Sequence, residues 1–219
     1  MKTLLNFLDE LKKNNNKEWF NDNRGRYEES KEQMLFFTEL MIREISQFDQ
    51  DIPLISPKDC IFRIFRDTRF SNDKTPYKTN MGSFIARDGR KSARAGYYIH
   101  IEPGNSFLGG GIWGPQPEIL RAIRSEVYNN TAGFKEVIED ENFKKYYSMI
   151  EGEKLKTAPK GFPKDFEDID LLRYKSYVFG YPVDDHTIMS ENFITIAVDA
   201  FKELYKANRF LNTSLDKWK

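Results

Sequence analysis

The sequence predicts an α+β fold, with a mainly antiparallel sheet in the middle of the chain packed by N-terminal and C-terminal helices. Residues up to about Phe48 carry apolar side chains at helical spacing, the middle holds short runs rich in Ile, Phe and Tyr, and the remainder returns to helical spacing. The middle runs are joined by loops rather than crossover helices, so neighbouring strands are expected to pair antiparallel. No internal repeat or flexible linker interrupts the chain, which predicts a single domain over residues 1–219.

The first part of the chain is predicted to form helices. Leu4, Leu8 and Leu11 place an apolar stripe on a first helix that ends in a run of three asparagines. The last of these, Asn16, can cap a second helix, because its side chain can accept a hydrogen bond from an unpaired N–H of the first turn. A longer helical stripe recurs every seven residues at Tyr27, Met34, Met41 and Phe48.

The middle of the chain is predicted to form strands. Four runs fit this pattern: Cys60–Asp67, Met81–Arg87, Gly96–Glu102 and Ser106–Trp113. A late strand is expected between Lys175 and Val183, and C-terminal helices are expected to begin at Pro117 and Ser190.

Composition excludes several classes of protein. The 219 residues have 34 basic and 34 acidic side chains, a mean hydropathy of −0.67, and no apolar run near the roughly 20 residues that span a bilayer, so a membrane protein is not expected. The 18 Phe, 11 Tyr and 3 Trp exclude a disordered chain. A single cysteine, Cys60, excludes an intrachain disulfide, and the early acidic residues Asp9 and Glu10 argue against a secretory leader. The expectation is a cytoplasmic protein whose oligomeric state is left open.

The neutral total hides an uneven distribution of charge. Residues 61–94 contain nine basic and three acidic side chains, whereas residues 136–170 contain ten acidic side chains and six lysines. For the group from Arg87 to Arg94, a solvated sheet surface explains the basic charge as well as a binding role does.

The segment from Ile61 to Asn80 is the most informative part of the sequence. In a strand, Arg63 shares one face with Ile61 and Phe65, and Arg66 lies on the other, so each guanidinium is expected to be partly desolvated and to need an anion. The candidate ligand-binding cations are Arg63, Arg66, Arg69, Lys74 and Lys78. Two interpretations stay open: a phosphate or carboxylate site, or a network in which Asp67 and Asp73 brace a long loop.

The helical segment before it offers two more candidates. Asn23 and Arg24 fall at helical spacing from Trp19, Phe20 and Tyr27, so one helix face is expected to carry all five inward. They either position a ligand at the basic segment or brace a neighbouring loop.

Three residues are candidates for proton transfer: His100, Glu102 and Asp73. His100 and Glu102 share a strand face with Tyr98, and a carboxylate beside a histidine commonly fixes its tautomer for acid–base work. A third metal ligand at a recognisable spacing is missing, so neither a metal nor a cofactor is expected. The run Gly109–Gly111 lacks the features of a phosphate loop and indicates a bulge or a close backbone approach.

Several motifs resemble one known family. They are the segments Arg66–Asn80, Asn15–Tyr27, Gly96–Ile101, Gly109–Gly111 and Pro159–Phe162. In order along nearly the whole chain, they are similar to the uncharacterised family catalogued as domain of unknown function 2461. The resemblance implies a single-domain protein and supplies no activity or ligand.

The leading hypothesis is a binding site, with catalysis left open, for a small ligand that carries phosphate or carboxylate. One alternative is a nucleic-acid-binding module that uses the basic segment and nearby tyrosines, which a sequence pI of about 6.8 disfavours. The other is a structural or protein-interaction role, with the cations and aspartates forming a bracing network.

Overall fold

The α+β class is confirmed by a computed structural model, which describes residues 1–147, 150 and 152–218. The helices before the sheet are α1 (Lys2–Lys13), α2 (Lys17–Asp22), α3 (Arg24–Phe48) and α4 (Pro57–Cys60). The middle of the chain forms β1 (Met81–Ile85), a short 3₁₀ helix (Gly89–Lys91), β2 (Gly96–Ile101) and β3 (Phe107–Ile112). The remaining elements are α5 (Pro117–Asn129), α6 (Thr131–Glu139), α7 (Glu141–Lys144), α8 (Ile169–Leu172), β4 (Tyr177–Pro182), α9 (Asp185–Met189) and α10 (Phe193–Lys217).

One antiparallel sheet contains all four strands, hydrogen-bonded in the order β1-β2-β3-β4. The predicted strands after residue 80 are confirmed, including the late strand, which forms β4. The last long helix begins at Phe193, three residues after the predicted start at Ser190.

The predicted strand Cys60–Asp67 is wrong. Pro57 starts the short helix α4, and the extended residues that follow form only isolated bridges, Ile61 with Ser83 and Phe65 with Tyr77. The Arg66 N–H donates to the carbonyl of Pro76, a residue that has no N–H to donate in return, so a regular ladder cannot continue. The segment therefore folds back on the residues after its own loop instead of adding a strand to the sheet.

The chain divides into two compact units, each built from separate segments. The first contains residues 1–91, 98–108 and 182–199, and the second contains residues 92–97, 109–181 and 200 onward. The single domain over residues 1–219 stays a prediction.

The first unit has a core of apolar and aromatic side chains. The stripe on α1 is confirmed, with Leu4, Leu8 and Leu11 fully buried. Phe20 on α2 stacks on Tyr77 with ring centroids 3.9 Å apart. The Asn16 cap is also confirmed, since its side chain accepts a hydrogen bond from the Trp19 N–H. These contacts fix the basic segment against the N-terminal helices.

The second unit shows why glycines occupy β3. A Cβ built on Gly110 lies 2.1 Å from the carbonyl oxygen of Gly96, and one built on Gly109 lies 2.4 Å from that of Phe179. Gly111 adopts φ of +100°, a conformation that L side chains rarely take. The glycine run therefore accommodates a close backbone approach between strands, one of its two expected roles.

No helix within residues 1–147, 150 and 152–218 combines the length and apolarity of a membrane span.

Candidate functional site

A groove of about 580 Å³ opens on the first unit and is lined by six cations and six apolar or aromatic residues. We call it the cationic groove. Its cations are Lys31, Lys58, Arg63, Lys78, Arg90 and Lys91, and its other lining residues are Tyr27, Leu35, Ile61, Phe62, Ile64 and Met81. Among the described residues, no acidic side chain lines it.

Elements far apart in sequence position these cations. Helix α3 carries Lys31 beside Tyr27, helix α4 carries Lys58, and the 3₁₀ helix carries Arg90 and Lys91. The Arg90 Nη1 donates to the backbone carbonyl of Lys58 at 2.8 Å, which holds α4 and the 3₁₀ helix together. The Lys31 ammonium lies 3.4 Å from a carboxylate oxygen of Glu28 and 5.9 Å from the Tyr27 ring centroid.

Arg63 and Lys78 differ from the other predicted cations because both line the groove. Arg63 is exposed, contrary to the expected desolvation, and its charge contributes to the lowered pKa of Asp67, a carboxylate that is ion-paired with Arg69. Within the part of the chain that the structure describes, neither side chain makes a hydrogen bond or an ion pair. Lys78 is half-buried, with its Nζ 5.8 Å from the Phe62 ring centroid. Burial lowers the pKa of Lys78, and the nearby Arg63 charge lowers it further.

The other three predicted cations brace the loop that joins the two extended segments. The Arg66 guanidinium bonds the Asp73 carboxylate and the Thr75 hydroxyl. The Arg69 guanidinium donates two hydrogen bonds to the Asp67 carboxylate, of 2.9 and 2.7 Å. Lys74 donates to the backbone carbonyl of Thr68 at 2.9 Å. The structure thus separates the five cations: these three have partners within the loop, and Arg63 and Lys78 line the groove.

Asp73, a candidate for proton transfer, has its carboxylate oxygens occupied inside this loop. One oxygen accepts bonds from the Thr75 N–H at 2.9 Å and the Thr75 hydroxyl at 2.8 Å. The Thr75 N–H, Arg66 and the Thr75 hydroxyl lower the pKa of Asp73 to about 2. A carboxylate with so low a pKa is a poor proton acceptor at neutral pH.

A hydrogen-bonded chain joins Tyr98, His100 and Glu102, and all three belong to the first unit. The Tyr98 hydroxyl lies 3.0 Å from His100 Nδ1, and His100 Nε2 lies 3.2 Å from the Glu102 carboxylate. The other carboxylate oxygen of Glu102 accepts a 2.8 Å bond from the Thr79 hydroxyl. Phe107 stacks on the imidazole with ring centroids 4.7 Å apart. The predicted pairing of His100 with a carboxylate is present in this geometry.

The surroundings of these three side chains favour the neutral form of His100 and the charged form of Glu102. Burial lowers the pKa of His100, and Glu102 raises it by a smaller amount. Burial raises the pKa of Glu102, but hydrogen bonds from Asn105, Thr79 and His100 lower it by more, so the net shift is downward. Burial and the Glu102 charge raise the pKa of Tyr98 to about 12. With its imidazole neutral, His100 can accept a proton or pass one along the chain.

The hydrogen-bonded side chains of Tyr98, His100 and Glu102 lie behind one wall of the cationic groove. The groove residue Phe62 packs edge-on against Tyr98 with ring centroids 6.2 Å apart. The charge of Lys78 contributes to the lowered pKa of His100, so the two groups are electrostatically coupled. Thr79, the residue after Lys78, bonds Glu102.

Asn23 and Arg24 do not lie on one continuous helix face, because the helix breaks between α2 and α3. The Asn23 amide donates to the Trp19 carbonyl at 2.9 Å and accepts a bond from Arg26 at 3.1 Å. Arg24 is exposed at the first turn of α3. Both contacts are with residues of α2 and α3, so they bring Asn23 neither to the cationic groove nor to a neighbouring loop.

Asn15 connects the N-terminal helices to the basic segment, and sequence reasoning missed this role. Its amide donates to the Tyr77 carbonyl at 2.9 Å and accepts from the Tyr77 N–H at 3.1 Å. An asparagine can pair with a backbone N–H and C=O simultaneously, and the run of three asparagines was the available signal. Lys31 and Lys58 were also missed, because each is an ordinary helical lysine until the fold brings it to the groove.

The remaining chemistry is sparse. Burial raises the pKa of Cys60 to about 12, so its thiol is unreactive at neutral pH. Among residues 1–147, 150 and 152–218, no cluster of three or more His, Cys, Asp or Glu side chains could hold a metal ion.

Comparisons with known proteins identify a family but no activity. No curated protein and no solved structure matches the chain. The family model described as "Conserved hypothetical protein (DUF2461)" matches residues 3–210, nearly the whole chain and all the motifs that resemble that family. The chain therefore belongs to the DUF2461 family.

Proposed function

We propose that the cationic groove binds a small ligand that carries a phosphate or carboxylate group next to an apolar or aromatic part. The observation that supports this proposal most directly is the pair Arg63 and Lys78, which line the groove and whose side chains make no hydrogen bond or ion pair among the described residues. The volume of about 580 Å³ lies within the range of small-molecule sites.

The balance of charge explains why an anion is favoured. Six cations line the groove without a lining carboxylate, so they repel one another. Burial is the larger cause of the lowered pKa of Lys78, and repulsion from Arg63 adds to it. An anion between Arg63 and Lys78 relieves this repulsion. A guanidinium offers a planar fork matched to phosphate or carboxylate, and an ammonium adds a movable charge.

The apolar lining explains why a bare anion is the weaker candidate. Ile64 and Met81 are almost fully buried, whereas Phe62 is 37% exposed beside them. A ligand with a ring or short chain next to its anionic group can cover this apolar surface and bond the cations at the same time.

Phenyl phosphate tests the proposal, with phenol and inorganic phosphate as matched probes that lack one of its two parts. Calorimetric titration of the full chain is expected to give saturable binding of phenyl phosphate that weakens with added salt. Inorganic phosphate is expected to bind more weakly, and phenol is expected to show no binding. Arg63→Ala and Lys78→Met should each weaken binding about tenfold to hundredfold, because each removes a charge-assisted contact.

Two loop variants provide the control. Arg69→Ala and Lys74→Ala remove the same charges from side chains whose partners lie in the loop. They are expected to bind phenyl phosphate within about twofold of the wild type, because surface charges outside a site contribute little. Equal losses in all four variants, or no saturable binding by the wild type, would overturn the proposal.

A further inference from the structure

The half-buried ammonium of Lys78 differs from the other lysines of the cationic groove. Its Nζ lies 5.8 Å from the Phe62 ring centroid, burial and then the charge of Arg63 lower its pKa, and no carboxylate among the described residues forms an ion pair with it. By contrast, Lys31 has Glu28 as an ion-pair partner, and Lys58 and Lys91 are exposed. Lys78 is thus the groove lysine for which the charged form is least favoured.

We propose that Lys78 is a reactive amine that forms an imine with an aldehyde or ketone whose anionic group is bound in the cationic groove. This inference rests on the proposed function and deepens it by naming a substrate class, anionic carbonyl compounds. A nearby cation and burial against apolar side chains are the two environments that activate lysine nucleophiles. Arg63 supplies the first, and the half-burial of Lys78 in a groove lined by Ile64 and Met81 supplies the second.

The reaction requires no oxidant or reductant. The lone pair of neutral Nζ attacks the carbonyl carbon, a C–N bond forms, and the carbonyl oxygen takes up a proton to give a carbinolamine. Nζ of this carbinolamine loses one proton, and the hydroxyl group is then protonated and leaves as water while the nitrogen lone pair forms the C=N bond. The resulting iminium loses its remaining N–H proton to give the imine. The sum is amine plus carbonyl compound giving imine plus one water, and the protons exchange with solvent in the open groove.

The surroundings of Lys78 determine how its reactivity depends on pH. The titratable and charged groups around it are Tyr27, Lys31, Lys58, Arg63, Arg90 and Lys91 in the groove, with Tyr98, His100 and Glu102 behind the wall. Burial and the charge of Arg63 favour the neutral amine. Glu102 opposes them, but its carboxylate is hydrogen-bonded to Thr79, Asn105 and His100. Lys78 should therefore react at lower pH than an exposed lysine.

The experiment uses pyridoxal 5′-phosphate as a chemical probe, because it joins an aldehyde, an aromatic ring and a phosphate. The full chain is mixed with the probe, reduced with borohydride and mapped by peptide mass spectrometry. Lys74 is the internal reference, since it is exposed and bonds the Thr68 carbonyl. At pH 7.5 Lys78 is expected to be modified at least about tenfold faster than Lys74, and the ratio should fall above pH 10 as both amines become neutral.

Two further measurements distinguish this inference from the proposed function. Phenyl phosphate should protect Lys78 without protecting Lys74, and Lys78→Arg should remove the fast adduct while retaining affinity for phenyl phosphate within about tenfold. If phenyl phosphate binds but Lys78 reacts no faster than Lys74, the imine is refuted and the binding function stands. If phenyl phosphate does not bind and Lys78 reacts at the reference rate, both proposals are overturned.

Discussion

Alanine substitution of Asn15 should destabilise the protein much more than the same change at either neighbouring asparagine. The Asn15 amide makes two hydrogen bonds to the backbone of Tyr77, of 2.9 and 3.1 Å, across 62 positions of sequence. Tyr77 is only 5% exposed, so water cannot easily replace both bonds when the amide is removed. The change therefore loosens the attachment of the basic segment to the N-terminal helices.

The magnitude follows from the number and the setting of the bonds. A net contribution of about 1 kcal/mol for each hydrogen bond gives a loss of about 2 kcal/mol for Asn15→Ala. For a chain of this length, that loss lowers the melting temperature by about 4–8 °C. Asn16→Ala removes one exposed helix cap and should cost about 1 kcal/mol. Asn14→Ala removes an exposed bond to the Glu10 carbonyl and should change stability by less than about 0.5 kcal/mol.

Urea unfolding followed by circular dichroism measures all three variants under the same conditions. The expected order of destabilisation is Asn15 first, Asn16 second and Asn14 last. An Asn15→Ala variant as stable as Asn14→Ala would refute the view that this amide fixes the basic segment, and a larger loss at Asn16 than at Asn15 would do the same.

Three further predictions follow from other parts of the structure. Gly110→Ala should lower the free energy of unfolding by about 3 kcal/mol or more, because its Cβ would lie 2.1 Å from a carbonyl oxygen of β2. Gly25→Ala, with open space around the new methyl group, should raise it by about 0.5 kcal/mol. Equal effects of the two changes in urea unfolding would contradict this. Burial lowers the pKa of His100, so below its ordinary value of 6.5 the unfolded chain binds a proton that the folded chain does not. The wild type should therefore lose stability as pH falls from 7 to 5, at up to about 1.4 kcal/mol per pH unit, and His100→Gln should lose less; parallel pH profiles would contradict this. The pKa of Asp73 is lowered to about 2, so its stabilisation of the loop should persist above pH 3.8 and fade as pH falls towards 2. Asp73→Asn should speed amide hydrogen exchange in residues 67–74 at pH 7. Unchanged exchange there would contradict the stabilisation of the loop by the Asp73 carboxylate.

The wrongly predicted strand at Cys60–Asp67 shows that the local residue pattern does not by itself predict strand pairing. Its residues are rich in Ile and Phe, which predicts a strand, but Cys60 ends helix α4 and only isolated bridges form, at Ile61 and Phe65. Pairing partners decided the outcome, because Arg66 meets Pro76, which cannot donate a ladder hydrogen bond. The predicted alternation of faces failed with it: Ile64 is buried, whereas Phe62, Arg63 and Phe65 are exposed.

The site was predictable in part for a related reason. The excess of cations over carboxylates between residues 61 and 94 is visible in the sequence, and so is the placement of His100 and Glu102 on one strand face. Which cations lack partners was not visible. Asp67 and Asp73 could each have paired with any of the five candidates, and only the loop conformation assigns them to Arg69 and Arg66.

The sequence by itself determined the α+β class, the core stripes of the helices and the concentration of basic charge, because these depend on periodicity and composition over short segments. The tertiary structure alone decided that Arg63 and Lys78 line a groove with Lys31, Lys58, Arg90 and Lys91, while Arg66, Arg69 and Lys74 brace a loop. The physical reason is that electrostatic interactions depend on distance in space. Residues separated by up to 60 positions became neighbours only when α3, α4 and the 3₁₀ helix packed around the folded-back segment.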